Sequence, residues 1–161
     1  MQKSQANPEN PESLVREFHE TYNLPIYTGT PSVDRERIDM RMALIAEEFA
    51  ELVGAVYGKT AREKIERAYA EALQEDDHTR DVIETADALA DLTYVIYGMA
   101  LETAIPLTKV LAQVQASNMS KLGADGKPIY REDGKVLKGP GFFPPNIALA
   151  LGLTDESAAK S

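Results

Sequence analysis

The chain of 161 residues has no cysteine, no tryptophan and only two histidines. Without cysteine, a thiol nucleophile, a zinc-thiolate site, an iron–sulfur cluster and a disulfide framework are all excluded, so any metal must sit on oxygen or imidazole. Long apolar runs are missing as well. The longest uncharged stretch in the periodic region, Leu92 to Leu101, is about half of the ~20 residues that a membrane crossing needs. Met1 to Asn10 is polar and lacks the apolar core of a secretory signal, so the expectation is a cytoplasmic protein with no membrane partner. Cations are scarce: 17 basic residues stand against 26 acidic ones, a net charge of -9. Such a surface repels a polyanion, and a nucleic-acid polymer is not an expected partner.

What is present, 43% hydrophobic and 27% charged residues, belongs to a globular protein, and the length suits one domain over 1–161. Leu14, Val15, Phe18 and Tyr22 fit one face of a helix over about Glu12 to Tyr22. After an irregular stretch, Ser32 or Asp34 is placed to cap a long second helix. Its residues Ile38, Met42, Ile45, Phe49, Leu52 and Val56 form an apolar stripe able to line a bundle interior, and Gly58 supplies its stop. A more exposed helix follows over Thr60 to Gln74. The next runs from near Asp81 to about Thr103 with Val82, Ala86, Leu89, Leu92 and Ile96 on one side. Ile105-Pro106 opens a last helix that reaches about Ser120. The expected fold is therefore all-α, a four- to five-helix bundle over 12–120. A loop-rich tail over 121–150, lid-like in character, holds Asp133-Gly134 in a sequence suited to a tight hairpin turn. The end from Thr154 is expected to fray.

The chemistry lies in the carboxylates. At about 100° per residue, Glu47, Glu48 and Glu51 share an arc of roughly 100° away from the apolar stripe, and Glu84, Asp87 and Asp91 lie within about 60° of one another on the later helix. A solvated acidic face ordinarily interleaves Lys or Arg at i±3 or i±4. Only Glu84 has such a neighbour, Arg80. Glu47 with Glu51, and Asp87 with Asp91, are like-charged i,i+4 pairs that cost a few tenths of a kcal/mol each in an isolated helix. Two facing acidic edges suit a hard divalent cation, Mg²⁺ or Mn²⁺, completed by an anionic substrate such as a polyphosphate. No ligand-spaced histidine pair points to zinc or di-iron chemistry instead.

These residues resemble the MazG-like all-α nucleotide pyrophosphohydrolases, which include dimeric dUTPases and phosphoribosyl-ATP pyrophosphohydrolases. Glu47-Glu48-Phe49-Ala50-Glu51-Leu52 is similar to the family's first E-x-x-E element, and Ala90-Asp91-Leu92 followed by Tyr94 to its second acidic element. Asn118-Met119-Ser120-Lys121 is similar to its phosphate-contacting Asn/Lys element. The resemblance implies cleavage of a nucleoside triphosphate, dUTP or another deoxynucleotide, to the monophosphate and pyrophosphate, with phosphoribosyl-ATP as the alternative substrate. It implies Glu47 as the base, Glu48 and Glu51 as the first metal pair and Asp91 as a ligand of the second. The family's E-x-x-D is interrupted by Ala88, whereas Glu84-Thr85-Ala86-Asp87 spells it one turn earlier. Two registers stay open, with Asp87 plus Asp91 favoured and Glu84 third. Association as a homodimer or homotetramer is also implied.

Five cations, Lys121, Lys127, Arg131, Lys135 and Lys138, are concentrated in the tail, where Lys121 matches the Asn/Lys element and Lys138 and Tyr130 are weaker candidates for closing over phosphates or base. His78 is expected to be exposed and His19 to be structural. Tyr94 and Tyr97 are expected in a core or interface, and Phe142-Phe143 is expected to anchor the tail. Two other classes compete with the enzyme: a helical interaction module, which leaves the unpaired carboxylates unexplained, and a metal-storage bundle, which lacks the expected histidines.

Overall fold

The computed structural model describes residue 7 and residues 9–153; the end from Thr154, expected to fray, lies outside them. Six helices account for most of the described chain: α1 (Pro11–Thr21), α2 (Ile38–Tyr57), α3 (Lys59–Gln74), α4 (Val82–Glu102), α5 (Leu107–Met119) and α6 (Ile147–Leu151). Among the described residues the β-structure is a single antiparallel bridge, Tyr130 to Val136, and no single helix is long and apolar enough to cross a membrane. The fold is all-α. Contacts divide the chain into two compact units, one of residues 30–89 and the other joining the chain before residue 30 to the chain after residue 89; α4 begins in the first and ends in the second.

Within residues 30–89, α2 and α3 form an antiparallel hairpin that turns on one residue. Gly58 ends α2 and opens α3 at φ 95° and ψ 173°, a backbone region that only glycine enters without strain. The expected cap at Ser32 or Asp34 is not formed. The Ser32 hydroxyl instead accepts the Asp34 N–H at 3.2 Å, a local turn that competes with helix initiation, and α2 starts later, at Ile38. The polar break is built from carboxylates: Asp76 accepts the His78 N–H at 2.9 Å and Asp77 the Thr79 N–H at 2.9 Å. Asp81 then accepts the N–H groups of Ile83 and Glu84 at 2.9 and 3.0 Å, capping α4. The Arg80 guanidinium grips both oxygens of Asp76 at 3.0 and 2.8 Å and holds that carboxyl well below its ordinary range.

In the other unit the centre is Tyr22, fully buried and stacked at a tilt on Phe18 with ring centroids 4.4 Å apart. Its hydroxyl donates to the Asn118 carbonyl at 2.8 Å, and the Tyr130 hydroxyl donates to the Tyr22 carbonyl at 2.7 Å. Burial pushes the Tyr22 hydroxyl pKa up. The first helix, the end of α5 and the tail are thus tied through one residue, by its hydroxyl on one side and its carbonyl on the other. Farther along, Ser117 donates to the Phe143 carbonyl at 2.7 Å and Ser120 accepts the Phe143 N–H at 3.1 Å, so the tail is fastened at Phe143 by its main chain while the residue stays half exposed. The Asp133-Gly134 turn forms, with Arg131 N–H to the Lys135 carbonyl and Leu137 N–H to the Ile129 carbonyl, each 2.8 Å. Helix α6 is an addition to the expected set; the Asn146 side chain caps it by accepting the Leu149 N–H at 3.0 Å.

Among the described residues the expected apolar interior is not formed: the buried hydrophobic residues are Leu14, Tyr22, Ala50 and Ala100, while Phe49 on α2 and Ile96 on α4 stay 51% and 49% exposed. Nearly every residue of α4 from Ile83 to Ile96 is exposed. The stripes have the helical period that the sequence implies, but each lacks the opposing surface that would bury it.

Two substitutions test these local arguments. Gly58→Ala forces a Cβ into the glycine-only region and should cost about 1–3 kcal/mol, read as a lower melting temperature. Tyr22→Phe leaves the Asn118 carbonyl without its donor and should cost about 1 kcal/mol, read as an earlier midpoint in urea with an unchanged slope.

Candidate active site

Helix α2 carries the first acidic row. Glu47, Glu48 and Glu51 are all exposed, and the uninterrupted helix from Ile38 to Tyr57 keeps them in the phase that the sequence implies. Glu51 has a partner that no i±3 or i±4 search within α2 could find. The Arg62 Nη2 of α3 donates to the Glu51 Oε1 at 3.1 Å, while its Nε donates to the Glu66 Oε1 at 2.7 Å. Glu66 foremost, with Glu51 behind it, drives the guanidinium further into its charged form. The close approach that permits this is at Gly54, where a Cβ would lie 3.0 Å from the Arg62 Cβ and 3.2 Å from its Cδ.

Helix α4 carries the second row. Glu84, Asp87 and Asp91 are exposed, and the helix is continuous from Val82 to Glu102. All five candidate ligands, Glu48, Glu51, Glu84, Asp87 and Asp91, are carboxylates, a donor set that fits a hard cation such as Mg²⁺ or Mn²⁺. Among the described residues no group of three or more Asp, Glu or His side chains comes together closely enough to hold a metal ion. The chain by itself therefore offers ligands of the right chemistry without a closed cage.

The candidates of the Asn/Lys element and tail lie in the unit built on Tyr22. The Asn118 carbonyl receives the Tyr22 hydroxyl, so the residue is held at the last turn of α5 by a contact from ninety-six residues away. The Lys121 ammonium sits over the Phe18 ring at 5.9 Å and the Lys138 ammonium over the Phe142 ring at 4.5 Å, cation–π contacts that steady both charges. The Tyr130 hydroxyl proton is committed to the Tyr22 carbonyl. Sequence reasoning missed Tyr22 and Arg62, the residues that place Asn118 and Glu51; no local spacing signals either. His19 is structural in outcome, its Nδ1 lying 2.9 Å from the Pro25 carbonyl, and the His78 side chain is 85% exposed. Tyr94, expected in a core or interface, is 82% exposed in the single chain.

A concavity of about 360 Å³ in residues 30–89 lies between the first turns of α2 and the last turns of α3, with Ile38, Asp39, Met42, Tyr69 and Leu73 among its walls. It continues the apolar stripe of α2 and holds none of the candidate ligands. Burial, with Asp39 adding to it, pushes the Tyr69 hydroxyl pKa up.

Comparison with known proteins bears on the family and the fold. The chain matches the family model described as phosphoribosyl-ATP pyrophosphohydrolase over residues 15–118, a span that takes in both acidic rows and ends on Asn118. Its fold is similar to the crystal structure of a candidate NTP pyrophosphohydrolase from Exiguobacterium sp. 255-15, with a TM-score of 0.65 and 25% identity over 94% of this chain and 98% of that one. No curated protein matches. On the extent of the family match, which covers well over half of the chain, this protein belongs to the phosphoribosyl-ATP pyrophosphohydrolase family and is a pyrophosphohydrolase.

Proposed function

We propose that the chain hydrolyses a nucleoside triphosphate, dUTP or another deoxynucleotide, between the α and β phosphates, releasing the monophosphate and pyrophosphate in a reaction that depends on Mg²⁺ or Mn²⁺. The observation that carries this reading is the pair of exposed carboxylate rows on α2 and α4, both inside the matched span. Glu48 and Glu51 would hold the cation from α2, and two of Glu84, Asp87 and Asp91 from α4. That the described residues form no three-ligand cage is compatible with magnesium, which is ordinarily held by one or two carboxylates plus waters and substrate phosphates. When bound, the cation would neutralise phosphoryl oxygens and lower the pKa of a coordinated water. Glu47 takes the proton from the attacking water, which requires a carboxylate that is ionised at neutral pH. Asn118 and Lys121 meet the phosphates, and Lys138 and Tyr130 belong to the lid-like tail that shields them from solvent. Phosphoryl transfer rests on positioning and charge neutralisation, so the scaffold has little covalent work to do.

Phosphoribosyl-ATP is the second reading within the same chemistry, and the description of the family model favours it. We further assign the exposed stripes of α2 and α4 to contacts between copies in a homodimer or homotetramer. Leu52 and Leu92 are 40% and 43% exposed, apolar area worth roughly 25 cal/mol per Å² when covered.

The decisive measurement is product identification. Pyrophosphate should appear from at least one member of a panel of nucleoside triphosphates and phosphoribosyl-ATP with Mg²⁺ or Mn²⁺; orthophosphate alone, or no product, rejects the reading, and tight metal uptake without turnover supports a storage bundle instead. Glu48→Gln should lower turnover by about 10²-fold or more, with a melting temperature close to that of the parent because the side chain is exposed. Light scattering should give the mass of two or four chains, and Leu92→Glu should reduce it; an unaltered monomeric mass in both would refute the assembly.

A further inference from the structure

Helix α3 reads from its sequence as a solvated, charged helix, yet it delivers a guanidinium to the row of carboxylates on α2. Arg62 is anchored one turn along its own helix by Glu66, at 2.7 Å through Nε, and reaches across to Glu51, at 3.1 Å through Nη2. Its stem lies along the bare backbone at Gly54, one turn from Glu51 on α2, so the track that leads the guanidinium to this carboxylate exists because residue 54 has no side chain. Glu51 is one of the carboxylates assigned above to the cation, and the present inference rests on that assignment. An oxygen engaged by a guanidinium is unavailable to a second cation, and a fixed positive charge beside it repels a divalent ion.

We propose that Arg62 is an exchangeable counter-ion that occupies Glu51 in the metal-free protein and must swing away from it when a divalent cation binds. Glu66 makes the exchange reversible: with Nε still held, only the Nη2 contact breaks, and the displaced group remains beside the acidic row. The freed N–H is then a donor available to an anionic oxygen, so loading of the cation and of the polyphosphate would favour each other. Arg62 is a positioning residue in this scheme. It touches Glu51, not the reacting atoms.

The test is a titration of the full chain with Mn²⁺ alone, followed by electron paramagnetic resonance of the free ion, without nucleotide. Arg62→Gln should bind Mn²⁺ about two- to fivefold more tightly than the parent, the range expected from removing an exposed ion pair. Arg62→Lys, which keeps the charge but loses the planar fork, should fall between the two. A parent that binds Mn²⁺ and an Arg62→Gln variant that binds it equally or less tightly would overturn the counter-ion role while leaving the metal assignment standing. Absence of Mn²⁺ binding in all three proteins would overturn both. Far-ultraviolet circular dichroism of each variant guards against reading unfolding as altered affinity, and should Arg62→Gln fail to fold, the parent-to-Arg62→Lys comparison decides the matter by the same ordering.

Discussion

Apolar surface that one chain cannot cover is the constraint on which the rest of this structure depends. The stripes of α2 and α4 have strong helical periodicity, yet among the described residues only four hydrophobic ones are buried, and two of those are alanines. The α2–α3 hairpin and the Tyr22-centred unit are each held together locally, by a glycine turn, carboxylate caps and tyrosine hydrogen bonds. None of these covers Phe49, Leu92 or Ile96. The proposed association between copies would cover these stripes, whose period and exposure are what the proposal rests on.

Electrostatics follows from that geometry. A helix that gives one face to apolar contacts has only the remainder for charge, and on α2 this remainder concentrates three carboxylates in an arc of roughly 100°. Repulsion within such a row is tolerable only if counter-charge is near, and α3 brings Arg62 to one end of it. The charge is positioned by packing: Gly54 sets the approach of the helices and Glu66 sets the direction of the guanidinium. The like-charged row is thus less costly than the α2 sequence alone suggests. A solvated acidic face and a cation-binding row differ here in whether the partner is fixed or exchangeable, and the structure supplies one identifiable group on which that distinction turns.

Helix positions were legible in the sequence because apolar period and the Gly58 and Pro106 boundaries are local signals. α1, α3, α4 and α5 begin and end within a residue or two of their expected limits. The start of α2 was not, since Ser32 has the chemistry of a cap but spends its hydroxyl on a nearer turn. Helix α6 was hidden by the glycines and prolines on either side, and its five residues are too few to show a period. The acidic rows were visible as patterns on single helices, whereas the roles of Arg62 and Tyr22 were not. Their contacts cross from one element to another, and the Tyr22 hydroxyl reaches a carbonyl 96 positions away. The family match adds the identity of the chemistry but not the positions of these supports.

The register of the second acidic row can be narrowed by the helix that carries it. Because α4 is uninterrupted from Val82 to Glu102, no bulge rephases Glu84, Asp87 and Asp91, and all three share one edge. Direction therefore cannot choose among them, but axial spacing can. At 1.5 Å per residue, Asp87 and Asp91 are about 6 Å apart along the axis and Glu84 and Asp87 about 4.5 Å, whereas Glu84 and Asp91 are separated by about 10.5 Å. On the proposed cation assignment, two carboxylates that share one small ion would lie within about a turn of each other, a spacing that Asp87 has with either neighbour. With Ala88 in place of the family's usual acid, Asp87 is the residue on which both registers agree, and the choice that remains is whether its companion lies one turn before it or one turn after.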